Sequence, residues 1–175
     1  MKTIMTIACA SLFLISGSSW AAATPLAVTK TVTVNAPAAQ VWAKVKDFNG
    51  LNNWHPAVAK DDVVEGENNK VGAVRLLTLK DGGTIKEKLL AFNANRHSFK
   101  YAIMEGVLPV SDYTSTVTVK PAGKDKSTVT WSGRFKRKNT GAKPGDNEND
   151  KTALDTMSAV YQAGLDNLKK ISETK

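Results

Sequence analysis

The last stretch of this chain constrains it most. From Asp150 to Thr174 the apolar residues Leu154, Met157, Tyr161, Leu165, Leu168 and Ile171 recur at steps of three and four. That spacing puts them on one face of an α-helix. The helix would run for about 20–25 residues, or about 30–35 Å. Asp146 or Asn149 can cap it, and the preceding "NTGAKPGDNEND" is polar, with Gly and Pro, and reads as a loop. One long apolar stripe has to be buried against something, and no second helix of comparable length is present in the pattern.

The partner lies upstream. Val28 to Val34 is rich in β-branched residues and reads as a first strand. In "NAPAAQVWAKVKDF", Pro37 can occupy the first helical turn, and Val41, Trp42, Val45 and Phe48 follow at helical spacing until Gly50. "LNNWHP" reads as a second short helical turn or a loop, closed by Pro56. From Val58 to Lys136 the period is two. Val58–Glu65, Ala73–Lys80, Thr84–Phe92, Ser98–Glu105, Tyr113–Lys120 and Thr128–Lys136 read as six more strands. "DGG" at 81–83 reads as a three-residue hairpin loop pairing Lys80 with Thr84. That register sets Leu79 opposite Ile85, Leu77 opposite Glu87 and Arg75 opposite Leu89, with Arg75 one diagonal step from Glu87. The chain is therefore α+β: a curved antiparallel sheet of about seven strands around a long C-terminal helix, with two short helices after the first strand. A sheet with one apolar face must be covered, and the last helix is the cover. Space left between them can remain open as a cavity.

The first 23 residues read differently. Lys2 precedes an apolar run from Ile4 to Ile15, and "SGSSWAAA" supplies small residues for cleavage after Ala21 or Ala23. The run is shorter than the roughly 20 residues a membrane span needs. The expectation is an exported, periplasmic protein that is not integral to the membrane, with one domain from 24 to 175. Its only cysteine, Cys9, lies in the leader, so disulfides and thiolate chemistry are not expected of the mature chain. Without Lys2 the chain has 23 basic against 16 acidic residues, a net charge of +7. That excess suits an acidic partner or simple solubility. Nucleic acid is not expected, because Lys136, Arg137 and Lys138 lack interleaved stacking aromatics.

Alternation places one charge where a core should be. Glu87 shares its strand face with Ile85, Leu89 and Ala91, and Arg75 has the same parity. Glu87 can orient a ligand, pair structurally with Arg75, or act as a general acid or base. The inward set also holds Leu77, Leu79, Phe99, Tyr101, Ile103, Tyr113, Ser115, Val117, Val119, Trp131 and Phe135, with Tyr161 from the helix. The three tyrosines can line a pocket with apolar rings and polar tips. Ser115 reads as a hydrogen-bonding group, Trp42 and Trp131 as core, and Trp54 as core or rim. His55 can serve as a base, as a ligand's hydrogen-bond partner at a pocket mouth, as an end-cap of its turn, or as a partly exposed structural residue beside Trp54; His97 sits in a turn and reads as structural. Two distant histidines and no mature cysteine give no metal spacing. There is no nucleophile elbow, Gly-rich phosphate loop or histidine-centred triad, and no cofactor is expected.

"VTVNAPAAQVWAKVKDFNGLNNWHPAV", "LPVSDYTSTVTV", "VTWSGRF" and "AVYQAGLDNLKK" together resemble the polyketide cyclase/START-like superfamily, the helix-grip fold. Within it the chain looks most like the MxaD-type periplasmic proteins, which are linked to bacterial methanol oxidation. That resemblance implies assistance to the contact between methanol dehydrogenase and an acidic cytochrome c. The superfamily resemblance implies a cavity under the long helix for a small apolar or amphipathic ligand. The alternatives it leaves are a cyclase or dehydratase using Glu87, with His55 or Tyr113 assisting, and a periplasmic lipid carrier. The plant abscisic-acid receptors, distant relatives, carry a pocket lysine where this chain has His55 and a pocket glutamate where it has Glu87. Their gate loop corresponds to Leu108, Pro109 and Val110. The candidate ligand-contacting residues are thus His55, Arg75, Leu77, Glu87, Tyr101 and Leu108. Pro109, Tyr113, Ser115, Trp131 and Tyr161 complete the set.

Overall fold

The computed structural model describes residues 24–174. The leader expected at 1–23, with its cleavage points, lies outside the described residues. The strands are β1 Leu26–Val34, β2 Val58–Glu65, β3 Val74–Leu79, β4 Thr84–Asn93, β5 Ser98–Gly106, β6 Val110–Pro121 and β7 Ser127–Arg137. The helices are α1 Ala38–Val45 and α2 Asp150–Glu173, with short 3₁₀ turns at Leu51–Asn53 and Asp146–Glu148. All seven strands form one antiparallel sheet in the order β1-β7-β6-β5-β4-β3-β2. This is the helix-grip arrangement expected from the pattern. The first strand crosses over to pair with the last, so β1 and β2 form the two edges.

Helix α2 begins where Asn149 Oδ1 accepts from Thr152 N at 2.8 Å, satisfying one of the free N–H groups of the first turn. Its buried residues are Ala153, Met157, Tyr161, Gly164, Leu165, Leu168 and Ser172. Leu154 and Ile171, read as stripe residues, are only half-buried at its margins. The helix lies chiefly over β1 and β7, and each large apolar side chain it buries contributes about 1.5–3 kcal/mol. At the other short helix Pro37 stands one residue earlier than expected. It is the residue before the first turn of α1, with ψ of 142°, and its carbonyl accepts from Gln40 N and Val41 N. Trp42 is core, stacked on His97 at 5.4 Å between ring centres.

The β3–β4 hairpin departs from the expected register. Leu77 pairs with Ile85 and Arg75 pairs with Glu87. The loop is three residues long but sits one position earlier, at 80–82. Leu79 N donates to Gly83 O at 2.8 Å and Gly82 N to Leu79 O at 3.0 Å. Asp81 Oδ1 holds Gly83 N at 2.9 Å. Gly82 takes the left-handed position at φ 87°, the conformation a three-residue loop needs at its last residue. Moving a loop by one residue shifts the pairing by two, so every side chain keeps its face. The consequence is local: Arg75 and Glu87 are direct cross-strand partners instead of diagonal ones.

Candidate functional site

The buried charge belongs to a cluster of three. Arg75 is 2% exposed and Glu87 4%. Arg75 Nε donates to Glu87 Oε2 at 2.8 Å, and Nη2 approaches the same oxygen at 2.6 Å. Arg75 Nη1 donates to Phe48 O at 2.6 Å and reaches Asp61 Oδ2 at 3.3 Å. The guanidinium carbon lies 4.2 Å from the centre of the Phe48 ring. Asp61 Oδ2 also accepts from Leu51 N at 2.9 Å, which ties the 3₁₀ turn to β2. Burial raises the pKa of both carboxyls and outweighs the attraction of Arg75. Two carboxyls thus share one guanidinium.

Asp61 was invisible to alternation. A bulge between Val58 and Lys60 resets the parity of β2, so Val58 and Asp61, three residues apart, are both buried. An edge strand with a bulge hides its inward residues from a period-two reading.

A second polar group is a chain of hydroxyls. Ser115 Oγ donates to Ser132 O at 2.8 Å, so its one proton is used. Tyr161, 3.1 Å from Ser115 Oγ, must therefore donate to it. Tyr113, 2.6 Å from Tyr161, must donate to Tyr161. Tyr101 then donates to Tyr113 across 3.3 Å. Trp131 Nε1 supplies Tyr101 at 3.1 Å and Ser115 at 3.0 Å. Every proton in the chain runs one way and ends on a backbone carbonyl. Burial pushes Tyr161 up to about 12, and Tyr101 and Tyr113 well above the usual phenol range. None of them is a base near neutral pH.

His55 is equally committed. It is 4% exposed, not the partly open residue its loop position suggested. Nε2 lies 3.0 Å from Val160 O and must donate; Nδ1 accepts from Ala57 N at 3.2 Å. This fixes the Nε2–H tautomer. Burial lowers its pKa, the charge of Arg75 lowers it further, and the Val160 bond only partly opposes them. A proton added at Nδ1 would face the Ala57 N–H.

Two glycines make this packing feasible, and neither was singled out beforehand. A Cβ on Gly164 of α2 would sit 2.6 Å from His55 Cδ2 and 2.8 Å from Trp131 Cζ3. A Cβ on Gly133 of β7 would sit 2.1 Å from Tyr161 Oη. The signal was present: Gly133 interrupts the inward series Val129, Trp131, Phe135, and Gly164 interrupts an otherwise unbroken helix. A glycine inside an element often marks close approach. Trp54 is core, 2% exposed and 5.4 Å from the Trp131 ring centre.

Above these groups lies a pocket of about 70 Å³ between α2, the 3₁₀ turn at 51–53 and the middle of the sheet. Of the candidate residues His55, Leu77, Glu87, Tyr101, Leu108, Tyr113 and Trp131 line it. Arg75 stands behind Glu87, while Ser115 and Tyr161 lie deeper in the hydroxyl chain, and Pro109 is outside the lining. The remaining walls are aliphatic, with Met157 and Val160 from α2 and Ile85 and Ile103 from the sheet. Of the residues matched to a gate, Leu108 and Pro109 lie in the three-residue connection 107–109 and Val110 is already the first residue of β6. Val107 N donates to Thr84 O and Lys138 N to Pro109 O, so the connection is tied to both neighbours. Among the described residues no three His, Cys, Asp or Glu side chains converge as a metal site would require.

Residues 25–173 match the sequence profile of the family described as polyketide cyclase/dehydrase and lipid transport. The chain belongs to that family. An uncharacterised protein from Bacillus thuringiensis is 31% identical, with 84% of this chain and 98% of that chain aligned at a TM-score of 0.73. XoxI from Bacillus cereus is 32% identical over 83% of this chain and 94% of its own, with a TM-score of 0.70. The Zhui aromatase/cyclase of a Streptomyces species, at 20% identity and a TM-score of 0.67 over 86% and 94%, shares the fold alone. The same fold thus carries an aromatase/cyclase as well as these Bacillus proteins, and a fold does not by itself decide the chemistry. Among the described residues no helix is long and apolar enough to cross a membrane.

Proposed function

We infer that this protein binds a small, mostly apolar molecule in the pocket beneath α2 and does not transform it. One observation carries the reading: each acid–base side chain at the pocket is already engaged within the protein. Glu87 is held by Arg75, His55 by Val160 and Ala57, and the tyrosines by one another. A general acid or base needs a proton it can give or take at working pH; burial moves His55 and the tyrosines away from that condition, while Glu87, whose pKa burial raises, is held through Oε2 by Arg75. The cyclase or dehydratase alternative with Glu87 as the acid–base group finds less support for the same reason. The pocket walls are aliphatic and aromatic, the lining that favours apolar ligands. Xenon tests this directly, since apolar cavities of this kind stay dry and take it up. Xenon NMR should show one saturable site, with shifts at Met157 and Ile85; no bound-xenon signal would refute the pocket reading.

The wider role follows the resemblance. The protein would be exported to the periplasm through its N-terminal segment and assist the contact between methanol dehydrogenase and an acidic cytochrome c. The positive charge of the mature chain supports steering toward such a partner, an effect that weakens with salt. The dehydrogenase–cytochrome electron-transfer rate should rise on addition of this protein at low ionic strength and lose the gain as salt increases. An unchanged rate at low salt would end the accessory role while leaving the pocket untouched.

A further inference from the structure

The pocket's hydrogen-bonding capacity is one-sided. Of the residues lining it, His55, Tyr101, Tyr113 and Trp131 carry side-chain donors. His55 Nε2–H goes to Val160 O. Trp131 Nε1–H goes to Tyr101 and Ser115. The Tyr101 proton goes to Tyr113, and the Tyr113 proton to Tyr161. All four are committed. Acceptors are not exhausted. Glu87 meets Arg75 only through Oε2. Its Oε1 has no hydrogen bond among the described residues, and it is not one of the sealed, unpartnered atoms of the interior, as Asp61 Oδ1 is. Tyr101 and Tyr113 each retain a lone pair. Of the two carboxyls, Arg75 makes two short contacts to Glu87 and only a 3.3 Å contact to Asp61, so Glu87 is the one it binds more closely.

We propose that the pocket selects a small apolar molecule bearing one hydrogen-bond donor, a hydroxyl or an ammonium group, and that Glu87 Oε1 accepts from it. This rests on the ligand-binding reading above. A ligand offering only an acceptor would meet Oε1 lone pair to lone pair and leave both groups unsatisfied in a buried site, a costly arrangement. A matching donor would supply the partner that Oε1 lacks.

The test uses the unaltered protein and ligands that share one ring: cyclobutanol, cyclobutylamine as its ammonium, cyclobutanone and cyclobutane. Dissociation constants come from methyl-resolved NMR titration of Leu77, Ile85, Ile103 and Leu108. The alcohol and the ammonium should bind at least about tenfold more tightly than the ketone. A ketone that binds as well as either donor overturns the proposal, and leaves the pocket reading standing if cyclobutane also binds. If none of the four perturbs these methyls, the pocket reading itself fails and takes the proposal with it. Glu87→Gln adds a second arm. Its amide presents a donor as well as an acceptor, so the ketone should gain and the donor preference should shrink. Should that variant not fold, the wild-type series still decides.

Discussion

Gly164→Ala inverts a familiar rule. In an exposed helix interior, replacing glycine by alanine stabilises by about 1 kcal/mol, through the lower chain entropy of alanine. At position 164 the added methyl meets His55 Cδ2 at 2.6 Å and Trp131 Cζ3 at 2.8 Å. Neither neighbour can retreat cheaply. Trp131 is stacked on Tyr161 at 4.6 Å between ring centres and donates into the hydroxyl chain. His55 is bonded at both ring nitrogens. Overpacking of a tight core costs about 1–3 kcal/mol, which the helix-propensity gain only partly offsets. With both contacts under 3 Å the cost belongs in the upper part of that range, about 2–3 kcal/mol, so the expected net loss is about 1–2 kcal/mol, a fall in Tm of about 2–8 °C for a domain of this size. Thermal and urea unfolding measure it, with the His55 imidazole shifts as a local reporter of the displaced ring. An unchanged or raised Tm would refute the packing argument, because alanine would then be showing its ordinary helix preference.

Three further outcomes follow from the same geometry. Arg75→Met should destabilise by about 3–5 kcal/mol, since it leaves two buried carboxyls without their cation; chemical denaturation reads this, and a loss below about 1 kcal/mol would mean the cluster is wet. Gly133→Ala should break the hydroxyl chain at Tyr161, seen as altered tyrosine ultraviolet fine structure together with reduced stability. The chain's three tyrosines are all in that network, so tyrosinate absorbance should be absent from the native protein at about pH 11 and half-developed near pH 10 once it is unfolded. These pKa values are raised by folding, with Tyr161 at about 12. Their stabilising contribution is therefore complete below pH 10 and is lost as pH climbs toward 12.

The elements that a sequence reveals best are those with one undisturbed period. The stripe of α2 and the alternation of β6 and β7 predicted both the fold and the inward face, and the alternation at the start of β4 placed Glu87 among aliphatic neighbours. Three things escaped that logic. Asp61 sits after a bulge, where the parity of β2 resets. The hairpin register depended on which of two adjacent glycines takes the left-handed position; Gly82 does, and that choice made Arg75 a direct partner of Glu87. Gly133 and Gly164 contribute by lacking a side chain, and a residue type chosen for absence carries no hydrophobic signal. What alternation could not supply was commitment: it placed the tyrosines near a pocket, as the resemblance did His55, but only the directions of their hydrogen bonds decide whether they are free to react.

That commitment is the central claim, and the protonation of His55 tests it most directly. With only two histidines in the chain, nitrogen-detected NMR across pH can follow the ring alone. Folding lowers its pKa, so its contribution to stability is present above the ordinary value near about 6.5 and is lost as pH falls below it. The account predicts one Nε2–H tautomer, Nδ1 unprotonated, and a ring in the folded protein that takes up its proton at lower pH than an ordinary imidazole. A ring that takes up its proton near pH 6.5 or above, or that exchanges between tautomers, would contradict it and restore His55 as a candidate base.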